Sequence, residues 1–353
     1  MSRFRRLTWV ALLALAVVLA GTLVPDAASA AHRHGHHHKK RHHHHKKKHH
    51  HKRHHKAHPK KAATAAVAHP AAAVCPDFPA DNWWNRDVSA LPVHADSAQW
   101  LSHMSTSRAL HPDFGGSYGI PVTTVTSAHP KVAISFDYAA ESDHVGYPFG
   151  ADTRIEGGRG SGGDMHAVVV DRSACRLYET WDTTESGGRW RAGSGATWSL
   201  RSDALRPDTW TSADAAGLPI YPGLLRYDEV KAGRVDHAIR FTTDLTSSHH
   251  LWPARHDAGS TSSWAYPPMG ARFRLRASYD TSGYDAQART VLTAMKRYGL
   301  VLADNGSPWF FQGAQDSRWS DTLLDELKRI PASAFEAVDT SSLMVSSGSA
   351  ATH

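Results

Sequence analysis

Two acids and a histidine flank a glycine-rich stretch in the middle of the chain. The sequence reads TRIEGG at 153–158 and GDMHAVVV at 163–170, which places Glu156, Asp164 and His166 close together. Isolated ionisable groups on loops are frequently functional. Glycoside hydrolases use two carboxyl groups about 5–10 Å apart. We therefore predict that Glu156 and Asp164 form a catalytic pair. The alternative is that they are solvent-exposed polar residues without a catalytic role.

A second set of residues fits the elimination chemistry of a polysaccharide lyase. Such a site needs a base, together with cationic or amide groups that neutralise the sugar carboxylate as the α-proton leaves. The predicted base is His166 or His237. For His237 the alternative is a hydrogen-bonded core histidine, because it shares a strand face with apolar neighbours. The neutralising groups would be Arg240, Arg255 and Asn305.

Two further strings suggest contacts to a sugar. WPARH, at 252–256, offers Trp252, Arg255 and His256 together. Aromatic rings match the apolar face of a sugar, and arginine binds its hydroxyl or carboxylate groups. Asp304 and Asn305 end an apolar run, and we predict that they bind substrate. The Asn-Gly pair that begins at Asn305 also favours a simple hairpin turn.

Familiar cofactor and nucleophile patterns lack the structural context that they need. GGRGSGG (157–163) and GGSYG (115–119) match a dinucleotide fingerprint and a nucleophile elbow, but apolar strand-like residues follow both. Each motif must open a helix to work. There is no zinc-type spacing, and His249, His250 and His256 are predicted to be surface or core residues. We expect no required cofactor and no metal in the folded domain, and structural calcium is left open.

Short alternating or apolar runs separated by turn-forming residues dominate the chain after residue 75. This pattern predicts a mainly β fold, α+β at the margin: a single antiparallel β-sandwich or jelly-roll-like domain with a few packed helices. The helices are predicted at 97–104, 285–299 and 320–331, from their caps and apolar faces. The strands are predicted at 131–138, 165–171, 176–182, 235–244, 272–280 and 299–304.

Strand parity separates the side chains of RFRLRAS. Phe273 and Leu275 are predicted to face inward, and Arg272, Arg274 and Arg276 to form a cationic stripe on the opposite face. A solvated stripe is the first interpretation, and a groove for carboxylated sugars is the alternative.

Composition divides the chain into five segments. Residues 1–30 have the layout of a secretory signal peptide, with arginines before an apolar run and a small-residue cleavage site. Residues 31–61 form a His/Lys-rich tract predicted to be disordered, and residues 62–74 an Ala/Pro linker. The folded domain is predicted at 75–340 and a frayed tail at 341–353. The sequence therefore predicts a secreted, extracellular protein that is not held in the membrane once the signal is cleaved.

The positive charge of the chain is confined to its N-terminal part. The formal net charge is +7, yet residues 32–61 carry twelve lysines and arginines and no acid. The folded domain is therefore mildly acidic, which gives no support for nucleic-acid binding by it. The tract, with fifteen histidines from His32 to His58, suits polyanions such as wall polymers, and any metal binding there is predicted to be adventitious.

The chain contains two cysteines, Cys75 and Cys175. An even pair in an exported protein predicts a disulfide. The bond would connect the start of the domain to a central hairpin.

Several longer strings resemble a widely distributed family of exported bacterial proteins. They are LRPDTWTSADAAGLPIYPGLLRYDEV, HAIRFT, WPARH and KRYGLVLADNGSPW, in this order. The resemblance implies that the domain is one unit and that the His-rich tract lies outside the shared pattern. It implies no catalytic assignment.

Together these features predict a secreted carbohydrate-active protein that cleaves a polysaccharide or cell-wall polymer in a groove, as a hydrolase or a lyase. The first alternative is a non-catalytic glycan- or wall-binding module. The second is a metal-binding surface protein that acts through its His-rich tract.

Overall fold

The computed structural model describes residues 75–353 of the chain. The predicted signal peptide, His/Lys-rich tract and Ala/Pro linker lie outside these residues. Within the described part, no helix is long and apolar enough to cross a membrane.

Fifteen strands and four α-helices make up the described part, together with short 3-10 turns. The strands are β1 His111–Asp113, β2 Val122–Val125, β3 Ile134–Phe136, β4 Ala167–Asp171, β5 Arg176–Trp181, β6 Thr184–Ser186, β7 Arg189–Ala192, β8 Ser194–Ser199, β9 Ile239–Thr243, β10 Ser247–His250, β11 Pro268–Met269, β12 Arg272–Leu275, β13 Leu300–Asn305, β14 Phe310–Gln312 and β15 Phe335–Val338. The helices are α1 Ser97–Ser102, α2 Tyr227–Lys231, α3 Ala286–Arg297 and α4 Asp321–Leu327.

The strands form four sheets. The largest has the order β1-β14-β9-β13-β12-β15, the second is β2-β4-β5-β8, and β3-β7-β6 and β10-β11 are smaller. The predicted mainly β domain with a few helices is confirmed. Strand orientation is mixed rather than uniformly antiparallel, because β1/β14, β9/β13, β2/β4, β3/β7 and β10/β11 are parallel pairs.

The four-stranded sheet is buried on both faces, which explains the continuous apolar run in β4. Val168 and Val170 join one apolar cluster, and Val169 joins a second cluster on the opposite face. Successive side chains of a strand point to opposite faces, so both faces need apolar cover. Ile134 and Trp190, from the three-stranded sheet, belong to the cluster around Val169.

The six-stranded sheet packs against the helices. Helix α3 buries Val291, Leu292 and Met295 in the same cluster as Phe241 and Phe273. Helix α4 is capped by Ser320, where the sequence predicts that it starts, and α3 is capped by Asp285. The Asp285 carboxylate accepts from the Ala288 amide at 2.8 Å, and the Ser320 hydroxyl accepts from the Leu323 amide at 3.3 Å. Helix α2 was not predicted, and Ser97 lies inside α1 rather than at its cap.

The predicted arginine stripe is buried at one end and solvated at the other, where the Arg276 side chain is 42% exposed. Phe273 and Leu275 are buried as predicted, but Arg272 on the other face is 1% exposed. Its guanidinium donates to the backbone carbonyls of Tyr298, Trp83 and Arg86 at 2.5, 2.9 and 3.0 Å. A buried cation needs such partners. The segment 83–86 covers this face of the sheet, which strand parity alone does not reveal.

The segment 341–353 is ordered against the domain, in contrast to the predicted frayed tail. The Trp252 indole donates to the Ser349 carbonyl at 2.9 Å, and the Trp83 amide donates to the Ala350 carbonyl at 2.8 Å. Leu343 and Ala350 are buried. The segment contains mostly small and polar residues, so its sequence gives no sign of the backbone hydrogen bonds that hold it against the domain.

The predicted disulfide between Cys75 and Cys175 is present. Their Cα atoms are 5.4 Å apart and the residues are 100 positions apart in sequence. It connects the beginning of the described chain to the turn between β4 and β5.

Candidate functional site

A cavity of about 270 Å³ opens beside the carboxyl end of β13. Asp304 comes from β13, Trp181 from the end of β5, and Asp164 from the loop that leads into β4. The segment 211–215 forms a third wall. The remaining lining residues are Tyr138, Glu141, Ser194 and His256.

A buried arginine on β9 organises the floor behind this cavity. Arg240 is 0% exposed, and its Nε and Nη2 atoms donate to Asp214 Oδ2 at 3.2 and 2.8 Å. It also donates to the side-chain oxygen of Gln312, and its Nη2 lies 3.6 Å from Asp304 Oδ2. Asp304 lies in register with Thr242 of the parallel strand β9. Burying two charges costs solvation free energy, which offsets the attraction between them. The pairing therefore holds Asp214 and Asp304 in position around Arg240 more than it stabilises the fold.

More carboxyl groups surround Arg240 than one guanidinium can neutralise. Burial raises the pKa of Glu179 to about 7, although the Ile220 and Tyr221 amides donate to it at 2.9 and 2.8 Å. Burial also raises the pKa of Asp214, against the opposing effect of Arg240. Carboxyl groups that share a low-dielectric site do not all ionise readily. Burial therefore favours the protonated forms of Glu179 and Asp214.

Asp304 combines a raised pKa with access to the cavity. Burial raises its pKa, the Arg240 charge opposes the shift, and the side chain is 25% exposed. Its Oδ1 accepts from the Asn305 amide at 2.8 Å. A carboxyl group that stays protonated toward neutral pH is suited to act as a general acid.

Asp164 is an exposed carboxylate in the same cavity. Its Oδ1 accepts from the Trp181 indole at 3.3 Å, which orients both side chains. Asp113 on β1 lies near this group and was not predicted. Burial and the charge of Glu156 raise the pKa of Asp113.

Glu156 and His166 form a buried ion pair beneath the segment 211–215. The Nδ1 atom of His166 lies 2.6 Å from Glu156 Oε2, and its Nε2 atom lies 3.1 Å from the Ala213 carbonyl. A carbonyl only accepts, so both ring nitrogens carry protons when the carboxylate is ionised. Burial opposes the charge, but the bond to Glu156 outweighs it and raises the pKa of His166. His166 in turn lowers the pKa of Glu156 against the effect of burial.

Six of the predicted site residues line the cavity or lie behind its lining, and four form a second group that does not line it. Asp164, His256 and Asp304 line the cavity. Arg240, Glu156 and His166 are adjacent to it, and their polar atoms are engaged in the contacts described above. His237, Trp252, Arg255 and Asn305 are not among the cavity-lining residues.

Each member of the second group has structural partners instead. His237 is 5% exposed and bonds to the Ala238 carbonyl at 2.8 Å and to Glu229 at 3.2 Å, as a core histidine would. Arg255 donates to the carbonyls of Arg206 and Ser347. Asn305 accepts from Thr246 at 2.6 Å and donates to the Ala258 carbonyl at 2.9 Å. Trp252 donates to the tail, as described above.

Sequence reasoning missed Tyr138, Glu141, Trp181 and Asp214 as cavity residues. Trp181 and Tyr138 lie with ring centroids 6.2 Å apart, and Tyr138 is 54% exposed. The available signal was the strand that carries Glu179 and Trp181, whose side chains point to the same face. Asp214 lies in a loop string with no chemical pattern of its own.

Among residues 75–353, no group of three or more histidine, cysteine or acidic side chains is arranged to hold a metal ion. His249 stacks on Trp264 with centroids 4.2 Å apart, and His250 bonds to Asp257 at 2.7 Å. These histidines have partners other than a shared ion.

Comparison with family models, with curated proteins and with solved structures gives no match. The functional argument therefore rests on the geometry of the cavity.

Proposed function

We propose that the protein is an exported glycan hydrolase in which Asp304 is the general acid and Asp164 is the second carboxylate. The observation that carries this proposal is the presence, in one cavity, of a carboxyl group with a raised pKa and an exposed carboxylate. Glycoside hydrolysis needs one group of each kind. Asp304 replaces Glu156 of the sequence-based pair, because Glu156 is held by His166 and has a lowered pKa.

The walls of the cavity support a sugar as the ligand. Trp181 and Tyr138 offer aromatic surface beside the two carboxyl groups. A pyranose packs its C–H face on such rings while its hydroxyls bond to nearby polar groups. Thr211 and Ser194 add hydroxyls to the lining.

A lyase receives less support from the same geometry. Arg240 is completely buried and occupied by Asp214, and Arg255 is not among the lining residues. Neither arginine is available to neutralise a sugar carboxylate. His166 has both ring nitrogens in hydrogen bonds, so it offers no free base.

A non-catalytic glycan-binding module is the alternative that shares most of these features. It would use the aromatic wall but would not need an acid with a raised pKa. Export and retention at anionic wall polymers through the His/Lys-rich tract are part of either proposal, and the disulfide supports an oxidising location. The metal-binding hypothesis concerns the tract, which lies outside the described residues.

The experiment uses the full secreted chain, oxidised, with a panel of neutral, amine-bearing and uronate polysaccharides. Products are measured as reducing ends and as the ultraviolet absorbance of unsaturated sugars. We expect new reducing ends without absorbance. Asp304→Asn and Asp164→Asn should each lower kcat by about 10²-fold or more, whereas Asp325→Asn, an exposed acid on α4, should retain wild-type activity.

Absorbance accompanying the reducing ends would refute the hydrolase in favour of a lyase. Binding without any cleavage across the panel would favour the binding module. Full activity of Asp304→Asn would refute the assignment of the acid.

A further inference from the structure

The charge of the cavity restricts the kind of sugar that it can hold. Among the described residues, four acids and one basic residue, His256, line it. The acids are Glu141, Asp164, Asp214 and Asp304. Asp214 and Asp304 lie 2.8 and 3.6 Å from the Arg240 guanidinium, which leaves Glu141 and Asp164 without a lysine or arginine partner among the described residues.

Each of these two groups has one oxygen that the described protein atoms leave without a hydrogen bond. Glu141 accepts from the Thr211 amide at 3.0 Å through Oε2 alone, and its side chain is 35% exposed. Asp164 accepts only through Oδ1, from the Trp181 indole. The free oxygens are acceptors, so the complementary ligand is a donor.

The cations nearest to the lining are already used. Arg206 is buried beside Glu141, where it pairs with Asp143 at 2.9 Å and donates to the Glu141 and Thr211 carbonyls. The His256 Nδ1 atom lies 2.9 Å from the Ala215 carbonyl, and its Nε2 atom lies 4.0 Å from Glu141. Bringing a uronate carboxylate into this space would add like charge in a partly desolvated site, which is unfavourable.

We propose that the cavity binds a glycan bearing a free amine, whose ammonium group lies between Glu141 and Asp164 while its ring packs on Trp181. This inference rests on the proposed function for its site, and it adds the substrate class. An ammonium group supplies three donors and the positive charge that the lining lacks. Neutral sugars supply donors without the charge, and uronates supply the wrong charge.

The test measures binding by calorimetry on the full chain carrying Asp304→Asn, which removes the acid and prevents turnover. The probes are β-1,4-linked hexamers of glucosamine, glucose and glucuronate at about pH 6, where the amine is protonated. We expect the glucosamine hexamer to bind about tenfold more tightly than the glucose hexamer in low salt. The difference should shrink at about 0.5 M salt, because exposed ion pairs are screened.

A matched pair of second substitutions isolates the cavity charge. Glu141→Gln should remove most of the preference for the amine, whereas Asp325→Asn, which removes one acid on α4, should leave it intact. Equal or tighter binding of the glucose or glucuronate hexamer would overturn the inference. A preference for the amine that is undiminished in Glu141→Gln would also overturn it, because the preference would then not depend on the negative charge in this cavity.

The same hexamers incubated with the unmodified chain separate this inference from the proposed function. Tight binding of the glucosamine hexamer without cleavage supports the amine and refutes the hydrolase. Cleavage that favours the glucose hexamer supports the hydrolase and refutes the amine.

Discussion

Because Glu156 and His166 form a buried ion pair, we expect the unfolding free energy to depend on pH. A neutral substitution at Glu156 should reverse the direction of that dependence. His166 is 1% exposed, and both of its ring nitrogens face acceptors. Its folded-state pKa lies above 6.5, the ordinary value for histidine, so the pair stabilises the fold fully below pH 6.5. That stabilisation is lost as pH rises through the folded pKa. On the acid side, the pKa of Glu156 is lowered below 4.5, so its contribution is lost as pH falls through that lowered value.

Between the folded-state pKa values of Glu156 and His166, Glu156→Gln should reverse the direction in which the unfolding free energy changes with pH. The glutamine amide can donate to a neutral His166 Nδ1 while Nε2–H still donates to the Ala213 carbonyl, so no polar atom is left unbonded. Burial then holds the imidazole neutral and lowers its pKa, because the carboxylate no longer opposes burial. The stability of the variant should therefore rise with pH where that of the wild type falls.

The expected difference in unfolding free energy is about 2–3 kcal/mol near pH 5.5, the usual contribution of a charge-assisted hydrogen bond. It should shrink to roughly 1 kcal/mol or less near pH 8.5, since the unfolded histidine is then neutral as well. Urea unfolding at several pH values measures it, and an NMR titration of the His166 ring reports its pKa directly.

The exposed pair of His129 and Asp152 supplies the control. Its atoms are 3.1 Å apart, but the Asp152 side chain is 61% exposed. Asp152→Asn should therefore change stability by less than about 1 kcal/mol. A difference between Glu156→Gln and wild type that stays constant from about pH 5.5 to 8.5 would refute the assignment of a buried imidazolium.

Three further outcomes follow from contacts in the described chain. Arg240→Met leaves the buried Asp214 carboxyl without its cation and should cost about 3–5 kcal/mol in urea unfolding; a change below about 1 kcal/mol would contradict the buried pairing. Cys75→Ser opens a ring of 100 residues and should lower the unfolding free energy by up to about 4 kcal/mol, with reductant destabilising only the wild type. Deleting residues 345–353 removes the bonds to Trp252 and Trp83 and should cost about 2–5 kcal/mol, whereas a truly frayed tail would be removed without effect.

Local patterns in the sequence were sufficient to locate α1, α3 and α4 and to assign strand parity. Helix α3 begins after Asp285 and buries the face that contains Val291 and Met295, because caps and a 3.6-residue period are properties of neighbouring residues. Parity places Phe241 and Arg240 on opposite faces of β9, since side chains alternate along any strand, and the structure buries both of them. Cysteine number and predicted export were enough for the disulfide.

The same patterns were insufficient to show which polar residues meet. His237 and Arg255 carry suitable side chains, but the first bonds to Glu229 and the second to backbone carbonyls. Nothing in a short string shows whether a polar group will find a partner inside the protein. Arg272 is a further case, since its three carbonyl partners come from segments far away in sequence.

The sequence by itself was enough to locate three of the four helices and six of the fifteen strands in the described residues, and to show the acidic character of the domain. It also predicts export. Tertiary structure decided the site. Asp214 and Asp304 meet at Arg240 because β9 and β13 pair in parallel, and Asp113 lies nearby because β1 pairs with β14. Such pairings join residues far apart in the chain, and the raised pKa of Asp304 arises only after they exclude water from the space between. Desolvation and charge proximity are properties of the assembled fold, so no local pattern of residues encodes them.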